Sequence, residues 1–381
     1  MKPKKRQGIV IPLLWLIFIF LLVFPAPSAA AAPNPPAVGA AAAVLMEAET
    51  GQILYAKNPH EKRAPASITK IMTVILALEC GKLEDKVTAS AKAAATEESK
   101  IYLSPGEQMT LRDLLYGAMV WSGNDTTVAI AEHIAGSEEA FARLMNEKAR
   151  WLGARNTNFV NSNGLPHPAH YSTAYDLALI ARYAMQNPLF RQMAATREVH
   201  LTSGRWTRHL SNSNRLLWEY PGADGIKTGT TSQAGECLAF SAARDGRRLI
   251  GVVLNSPDRY GEAKALLDYG FSAFGVKTVL ARGQLLARVP VEKGREKKVP
   301  VAAGDGVRLA VPREGPSGVE VKMETVTVVA APVRAGEKLG RVRVFWQGQL
   351  VAEVPLVAAK EVTLAPWWQR VIPQRLFREK G

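Results

Sequence analysis

The chain contains 381 residues, of which 47% are hydrophobic and 22% charged, with 30 glycines, 23 prolines and two cysteines. This composition argues against intrinsic disorder and low-complexity organisation, and the length favours two domains over one. The formal net charge of +14 suggests a nucleic-acid partner until its distribution is considered. Residues 1–40 hold four basic and no acidic residues, residues 277–381 hold 19 basic and 10 acidic residues, and the segment between is nearly neutral. We therefore expect no nucleic-acid partner.

The N-terminus has the three parts of a secretory signal. Four cations lie within residues 2–6, an uncharged apolar run covers residues 9–24, and a stretch of small residues follows at 26–32. The apolar run is shorter than the roughly 20 residues that span a bilayer, so a cleaved signal peptide over residues 1–31 is favoured over a retained anchor. A proline-containing linker follows at residues 32–40. The sequence thus predicts an exported protein.

Residues 41–276 alternate between strand-like and helix-like patterns. An alternating segment with a glycine at its bend predicts a β-hairpin at the start of this region. Helices are predicted over residues 68–78, 111–135, 138–152, 174–186 and 262–274, and strands over residues 225–228, 237–243 and 249–254. This order predicts an α+β domain built on an antiparallel sheet.

Beyond residue 276 helical periodicity disappears. Short alternating runs predict strands over residues 307–311, 319–329, 339–346 and 350–357, and hence a small all-β domain over residues 277–360. The tail at residues 361–381 mixes tryptophans and arginines, with several apolar residues on one helical arc. That pattern predicts an amphipathic segment in peripheral contact with a membrane surface, against the alternative of a disordered or wall-contacting tail. Cys80 and Cys237 lie in apolar contexts, which favours buried thiols over a disulfide bond.

The sequence gives no support for a catalytic triad or a metal site built on histidine. No G-x-S-x-G elbow surrounds any serine, the six histidines occur in no triad-like setting, and H-E-x-x-H is absent. His167 and His170 flank a proline in a loop without nearby carboxylates. We therefore expect these two histidines at the surface, with no metal site and no cofactor.

Three short motifs instead form a candidate site for acyl transfer. Ser67 and Lys70 are three residues apart at a predicted helix start, where the lysine amine can reach the serine hydroxyl. A lysine serves as a base when burial or a neighbouring cation lowers its pKa. Ser-Gly-Asn at residues 122–124 occupies a predicted turn between helices. Lys-Thr-Gly at residues 227–229 ends a predicted strand, where the glycine allows a ligand to approach the backbone.

In this order the motifs S-x-x-K, S-x-N and K-T-G are those of penicillin-binding proteins and serine β-lactamases. Residues 40–276 resemble the low-molecular-mass penicillin-binding proteins, which are serine-type D-Ala-D-Ala carboxypeptidases, and the S-G-N form is typical of that group. Similar stretches lie at residues 45–51, 64–73, 144–146, 163–165, 172–174 and 224–231. The resemblance implies a β-lactamase/transpeptidase-like domain followed by the small β-rich C-terminal domain of the same enzymes.

The resemblance assigns roles to the residues of the first two motifs. It implies that Ser67 is the acylated nucleophile and that Lys70 is its general base. Ser122 would relay a proton to the leaving D-alanine, and Asn124 would hold the substrate amide.

The third motif corresponds to the carboxylate-binding strand of the family. The resemblance implies that Lys227 and Thr228 bind the terminal carboxylate beside Gly229. The backbone N–H of Thr230, together with that of the nucleophile, would form the oxyanion hole. Arg259 resembles a further arginine that contacts the carboxylate, against the alternative of an exposed loop cation. Some relatives carry histidine at the position of Thr230.

The implied function is removal of the terminal D-alanine from peptidoglycan pentapeptide stems, with β-lactams as covalent inhibitors. The expected location is the outer face of the bacterial cytoplasmic membrane. A serine β-lactamase, a catalytically weak penicillin-binding sensor or wall-binding protein, and a transpeptidase remain as alternatives, because all of them use the same motifs.

Overall fold

The computed structural model describes residues 34–367, and all bounds below refer to that part of the chain. The predicted signal peptide, the first residues of the linker and the tail beyond residue 367 lie outside it. The helices are α1 Lys70–Cys80, α2 Ala91–Ala95, α3 Leu111–Tyr116, α4 Asn124–Ala135, α5 Glu138–Trp151, α6 Ala174–Ala184, α7 Pro188–Ala195, α8 Leu216–Glu219 and α9 Arg259–Ala273. The strands are β1 Ala42–Glu47, β2 Ile53–Lys57, β3 Lys86–Thr88, β4 Gln108–Thr110, β5 Glu198–Leu201, β6 Arg208–Ser211, β7 Ala223–Thr231, β8 Gly235–Arg244, β9 Arg247–Leu254, β10 Phe274–Leu280, β11 Leu285–Glu292, β12 Lys298–Ala303, β13 Val307–Pro312, β14 Val319–Thr325, β15 Val329–Ala330, β16 Lys338–Trp346 and β17 Gln349–Ala358.

A five-stranded antiparallel sheet, in the order β2-β1-β9-β8-β7, is the centre of the first domain. Helix α6 packs on one face of this sheet and helix α9 on the other, so strand β1 is buried on both sides. Successive side chains point to opposite faces, and accordingly Val44 and Met46 belong to one hydrophobic core while Ala43 and Leu45 belong to the other. The predicted α+β class is confirmed.

Helix α1 runs through the core on the α6 side of the sheet, and most of its side chains are buried. A 3₁₀ turn at Ala66–Thr69 precedes it and carries the start of the first motif. Helix α3 continues into a π-helical turn at Gly117–Trp121, which ends at Ser122 in the left-handed conformation with φ of 70°. Helix α4 begins two residues later, so the predicted stretch 111–135 is two helices joined by a sharp turn.

The second domain is all-β. Six strands form a sheet in the order β14-β16-β17-β12-β11-β15, and β10 pairs separately with β13. The predicted domain boundary at residue 276 falls within strand β10. The exact limits of the two domains remain a prediction. The Gln52 side chain joins the domains by donating to the carbonyl of Ala310 at 2.7 Å and accepting from its N–H at 3.1 Å.

Several local predictions differ from the structure. Helix α9 begins at Arg259, earlier than the predicted residue 262, because the Asp258 carboxylate accepts from the N–H of Gly261 and caps the helix there. The predicted strand 319–329 is interrupted, since β14 and β15 lie at opposite edges of their sheet. Both cysteines are free, but only Cys237 is buried, and the expectation of a buried Cys80 is wrong because helix α1 ends there at the surface.

Among residues 34–367, no helix combines the length and apolar character needed to cross a bilayer.

Candidate active site

The first motif forms a close contact at the start of helix α1. Lys70 Nζ lies 2.8 Å from Ser67 Oγ. The lysine side chain is fully buried, whereas the serine remains partly accessible to a ligand. The 3₁₀ turn followed by the α-helix therefore places the amine directly against the hydroxyl.

Two oxygen acceptors fix the Lys70 amine from its other side. Nζ donates to the Asn124 side-chain oxygen at 2.7 Å and to the Asn163 carbonyl at 2.9 Å. A neutral amine has two N–H donors and one lone pair. With both donors directed at these oxygens, the lone pair faces Ser67 Oγ, which is the orientation that a general base requires.

Electrostatics favour the neutral form of this amine. Burial lowers the pKa of Lys70 well below its usual value, and the ammonium of Lys227 lowers it further. The carboxylates of Glu98 and Asp125 act in the opposite direction with smaller effects. The net result is a lysine that can accept a proton from the serine.

The second motif is held by hydrogen bonds to a neighbouring loop. The Asn124 side chain donates through Nδ2 to the Glu97 carbonyl at 2.8 Å, and its backbone N–H donates to the Ser99 carbonyl at 2.7 Å. The buried Asp125 carboxylate accepts from the N–H groups of Ile101 and Leu103, which fixes the same loop. Ser122 and Asn124 thus share one rigid turn, in which Asn124 contacts Lys70.

The third motif lies on β7, the edge strand of the central sheet, directly beside the nucleophile. A Cβ atom on Gly229 would lie 3.1 Å from the backbone N of Ser67 and from the carbonyl oxygen of Pro65. Glycine at this position therefore lets the strand approach the serine turn closely. The backbone of Thr230 follows at the same end of the strand.

A cluster of cations surrounds the strand at this point. Lys227 is fully buried, and burial together with the positive charge of Arg259 lowers its pKa to about 7. Arg259 donates to the Thr230 hydroxyl at 2.7 Å and to the Gly229 carbonyl at 3.2 Å. Arg259 is therefore bound to the motif strand and is not a free loop cation. The cluster gives the site a positive potential suited to a carboxylate.

Four residues of the site were not predicted from the sequence. Asn163 supplies its backbone carbonyl to Lys70, Ser213 places its hydroxyl 2.7 Å from that of Thr228, and Glu97 and Ser99 support the second motif. The sequence signal for the first was the Asn163-Gly164 pair, which favours a tight turn. Glu97 and Ser99 act through their backbone carbonyls and Ser213 through its hydroxyl, and no sequence motif marks such contacts.

The predicted surface position of His170 is wrong. The ring is buried and not at the surface, and burial lowers its pKa to about 4. Its Nδ1 accepts from the N–H of Val160 at 3.2 Å, so the ring proton lies on Nε2 and is donated to the Thr69 hydroxyl at 2.9 Å. The histidine thereby joins the 160–165 loop to the turn that carries the nucleophile.

Fold and site together define a class of protein: a serine acyltransferase in which a buried lysine activates the nucleophile and a cationic strand binds a carboxylate. Within residues 34–367, no group of three or more His, Cys, Asp or Glu side chains is arranged to hold a metal ion.

Comparison with known proteins agrees with this class. Residues 29–258 match the family model described as D-alanyl-D-alanine carboxypeptidase, and residues 274–364 match the model described as penicillin-binding protein 5, C-terminal domain. The D-alanyl-D-alanine carboxypeptidase DacF of Bacillus subtilis is 39% identical over 361 residues, which cover 91% of this chain and 92% of that protein.

Solved structures give the same result. Penicillin binding protein 5 from Haemophilus influenzae superposes with a TM-score of 0.75 at 32% identity, covering 87% of this chain and 99% of that one. A mutant of the Streptomyces K15 DD-transpeptidase covers 62% of this chain and 99% of its own, with a TM-score of 0.59 and 35% identity. This chain belongs to the D-alanyl-D-alanine carboxypeptidase family of serine peptidases.

Proposed function

We propose that this chain removes the terminal D-alanine from peptidoglycan pentapeptide stems through an acyl-enzyme on Ser67, and that β-lactams acylate the same serine. The observation that carries the proposal is the position of the Lys70 amine. It lies 2.8 Å from Ser67 Oγ in a buried site that lowers its pKa. Membership in the carboxypeptidase family supports the same reaction.

Acylation follows from this geometry. Neutral Lys70 takes the proton of Ser67 as Oγ attacks the carbonyl carbon of the penultimate D-alanine. The backbone N–H groups of Ser67 and Thr230 stabilise the oxyanion of the tetrahedral intermediate. Its collapse breaks the C–N bond. Ser122 passes its hydroxyl proton to the departing amine and receives the proton held by Lys70, which leaves Lys70 neutral for the next step. Asn124 holds the amide of the acyl portion.

Water then attacks the ester carbonyl. Lys70 accepts a proton from that water, the bond to Ser67 Oγ breaks, and the serine regains its proton. The products are free D-alanine and a peptide shortened by one residue.

The cations around strand β7 explain why the substrate must end at the second D-alanine. Lys227 donates to the Thr228 carbonyl and Arg259 to the Gly229 carbonyl, so both cations lie at the end of β7 where we assign the terminal carboxylate. A charge-assisted hydrogen bond contributes about 1.5–3 kcal/mol, so an internal peptide bond loses this stabilisation. The carboxylate of a β-lactam would occupy the same position.

Acylation of Ser67 is the direct test. We expect Ser67→Ala to abolish D-alanine release from a pentapeptide and to show no mass increase after penicillin treatment. Ser272→Ala removes an exposed hydroxyl on helix α9 and serves as the matched control, with full release and labelling. Full activity in Ser67→Ala would refute the assignment of the nucleophile.

The same experiment separates the alternatives. A penicillin adduct that lasts minutes or longer favours the carboxypeptidase over a β-lactamase, which must deacylate rapidly. Labelling without D-alanine release from the pentapeptide would indicate a sensor or wall-binding protein. The similarity to a DD-transpeptidase makes an acceptor test necessary. An added amino acceptor should yield little transpeptidation product relative to hydrolysis.

We further propose that the protein is exported, with the signal removed near residue 31, and acts in cell-wall growth and cell shape at the outer face of the cytoplasmic membrane. The apolar arc and arginines of the 361–381 tail, and the excess of basic residues beyond residue 276, suit an anionic lipid surface. Deletion of residues 366–381 should release the protein from the membrane fraction. Unchanged fractionation would contradict the tail contact.

A further inference from the structure

A cleft of about 390 Å³ opens beside the reaction centre. This volume lies within the range of small-molecule sites. Its lining includes Lys92, Glu97, Glu138, Asn163 and Leu165. The mechanism proposed above uses only backbone carbonyls from two of these residues and leaves the cleft itself without a role.

The cleft lies on the acyl side of the scissile bond. The leaving D-alanine is assigned to the cations around strand β7, and the amide of the acyl portion is assigned to Asn124. The Glu97 carbonyl contacts Asn124, and the Asn163 carbonyl contacts Lys70. Both carbonyls belong to residues that line the cleft. A peptide anchored by its carboxylate therefore directs the residue before the D-Ala-D-Ala unit into this space.

Most of the Glu138 carboxylate is already engaged. One of its oxygens accepts from the N–H and the hydroxyl of Ser162, and the other lies 3.2 Å from Lys92 Nζ. The Lys92 ammonium is thereby held at the cleft, and it also lies 3.4 Å from Glu139. An ammonium has three donors, so one remains for a ligand.

Glu97 provides the opposite charge. Its side chain is exposed, and among the described residues its carboxylate has no hydrogen-bond or ion-pair partner. The cleft thus offers one cation with a free donor and one anion with free acceptors. Val128 and Leu165 add apolar surface to the same lining. The complement of this arrangement is a short aliphatic chain that ends in both an ammonium and a carboxylate.

We infer that this cleft binds the side chain of the stem-peptide residue that precedes the D-Ala-D-Ala unit, and that it selects a diamino dicarboxylic acid over a plain diamino acid. The inference rests on the carboxypeptidase function proposed above. The side-chain carboxylate binds Lys92, and the side-chain ammonium binds Glu97. A lysine side chain supplies only the second of these contacts.

Three synthetic tripeptides test the inference. Each is N-acetylated, ends in D-Ala-D-Ala and begins with meso-diaminopimelate, lysine or Nε-acetyl-lysine. We expect kcat/KM for D-alanine release to be about fivefold higher for diaminopimelate than for lysine, the value of one solvent-accessible ion pair. Lys92→Ala should reduce this ratio to about one. Glu97→Gln should remove the preference of lysine over acetyl-lysine.

Matched controls keep the result interpretable. Lys86→Ala and Glu147→Gln make the same charge changes at exposed positions outside the cleft, and both ratios should stay at the wild-type values. Equal kcat/KM for the three peptides, or a preference that survives Lys92→Ala, overturns the inference while leaving the carboxypeptidase function intact. Absence of D-alanine release from all three peptides would overturn both.

Discussion

Burial of His170 makes the folded state of this enzyme less stable as the pH falls below neutral. The imidazole is only 3% exposed and lies between Val160 and Thr69. Its pKa falls from the ordinary value of 6.5 to about 4, because burial disfavours the charged ring and the positive charge of His167 adds to the effect. The folded protein therefore keeps this ring neutral under conditions where the unfolded chain protonates it.

The change of stability with pH follows from the different proton affinities of His170 in the folded and unfolded states. Below pH 6.5 the unfolded state binds a proton that the folded state does not bind until about pH 4, so stability is complete above 6.5 and is lost as the pH falls between these values. Between pH 7 and pH 5 the loss in the free energy of unfolding amounts to about 2 kcal/mol, since each pKa unit corresponds to roughly 1.4 kcal/mol. The ring is buried too deeply for solvent to screen this effect.

The variant His170→Gln isolates this contribution. Glutamine can still donate to Thr69 but does not titrate, so the difference in unfolding free energy between wild type and variant should shrink by about 2 kcal/mol from pH 7 to pH 5. Urea unfolding at both pH values measures it, and changes in the carboxylates cancel in the comparison. His167→Gln, at an exposed position, is the control with a small effect. A difference that is the same at both pH values would refute the reasoning.

Three further predictions concern the catalytic groups and the loop beside them. Lys227→Met removes an ammonium that lowers the pKa of Lys70, so the acid limb of the penicillin acylation rate should move to higher pH; an unmoved limb would contradict the coupling. Gly164→Ala should destabilise the protein well beyond Gly153→Ala in thermal unfolding. Both glycines have positive φ and share a strain cost of about 1–2 kcal/mol, but only a Cβ on Gly164 would collide with a neighbouring group, the carbonyl of Ala66. Equal losses of stability would contradict this reasoning. Arg259→Ala should lower kcat/KM for peptide substrates roughly 10- to 100-fold by the loss of a charge-assisted hydrogen bond, and an unchanged value in a D-alanine release assay would exclude contact with the carboxylate.

The site was predictable from sequence where its chemistry depends on local spacing. Ser67 and Lys70 are three residues apart, and any helical start brings two such side chains together. Gly229 marks a close backbone approach, which the structure explains by the distance to Ser67 N. In each case the chemistry constrains the residue type directly.

The remaining contributors depend on tertiary contacts that leave no local pattern. The Asn163 carbonyl reaches Lys70 across 93 residues of sequence, and any residue would supply such a carbonyl. The proline-broken loop without nearby carboxylates predicts a surface position for His170, yet Thr69 and Val160 satisfy both of its nitrogens in the interior. Burial of a polar ring is favourable only with such partners, and the sequence does not reveal them.

The surroundings of the two buried lysines connect the binding of substrate with its activation. Lys227 and Arg259 place positive charge where a substrate carboxylate is to bind, and the same charge on Lys227 lowers the pKa of Lys70. Burial and the positive charge of Arg259 lower the pKa of Lys227 itself to about 7. A bound carboxylate stabilises the ammonium of Lys227 and thus holds it in the charged form in the complex. Burial, the largest effect on Lys70, does not change when the carboxylate binds, so the pKa of Lys70 stays lowered while the substrate is held by its charge.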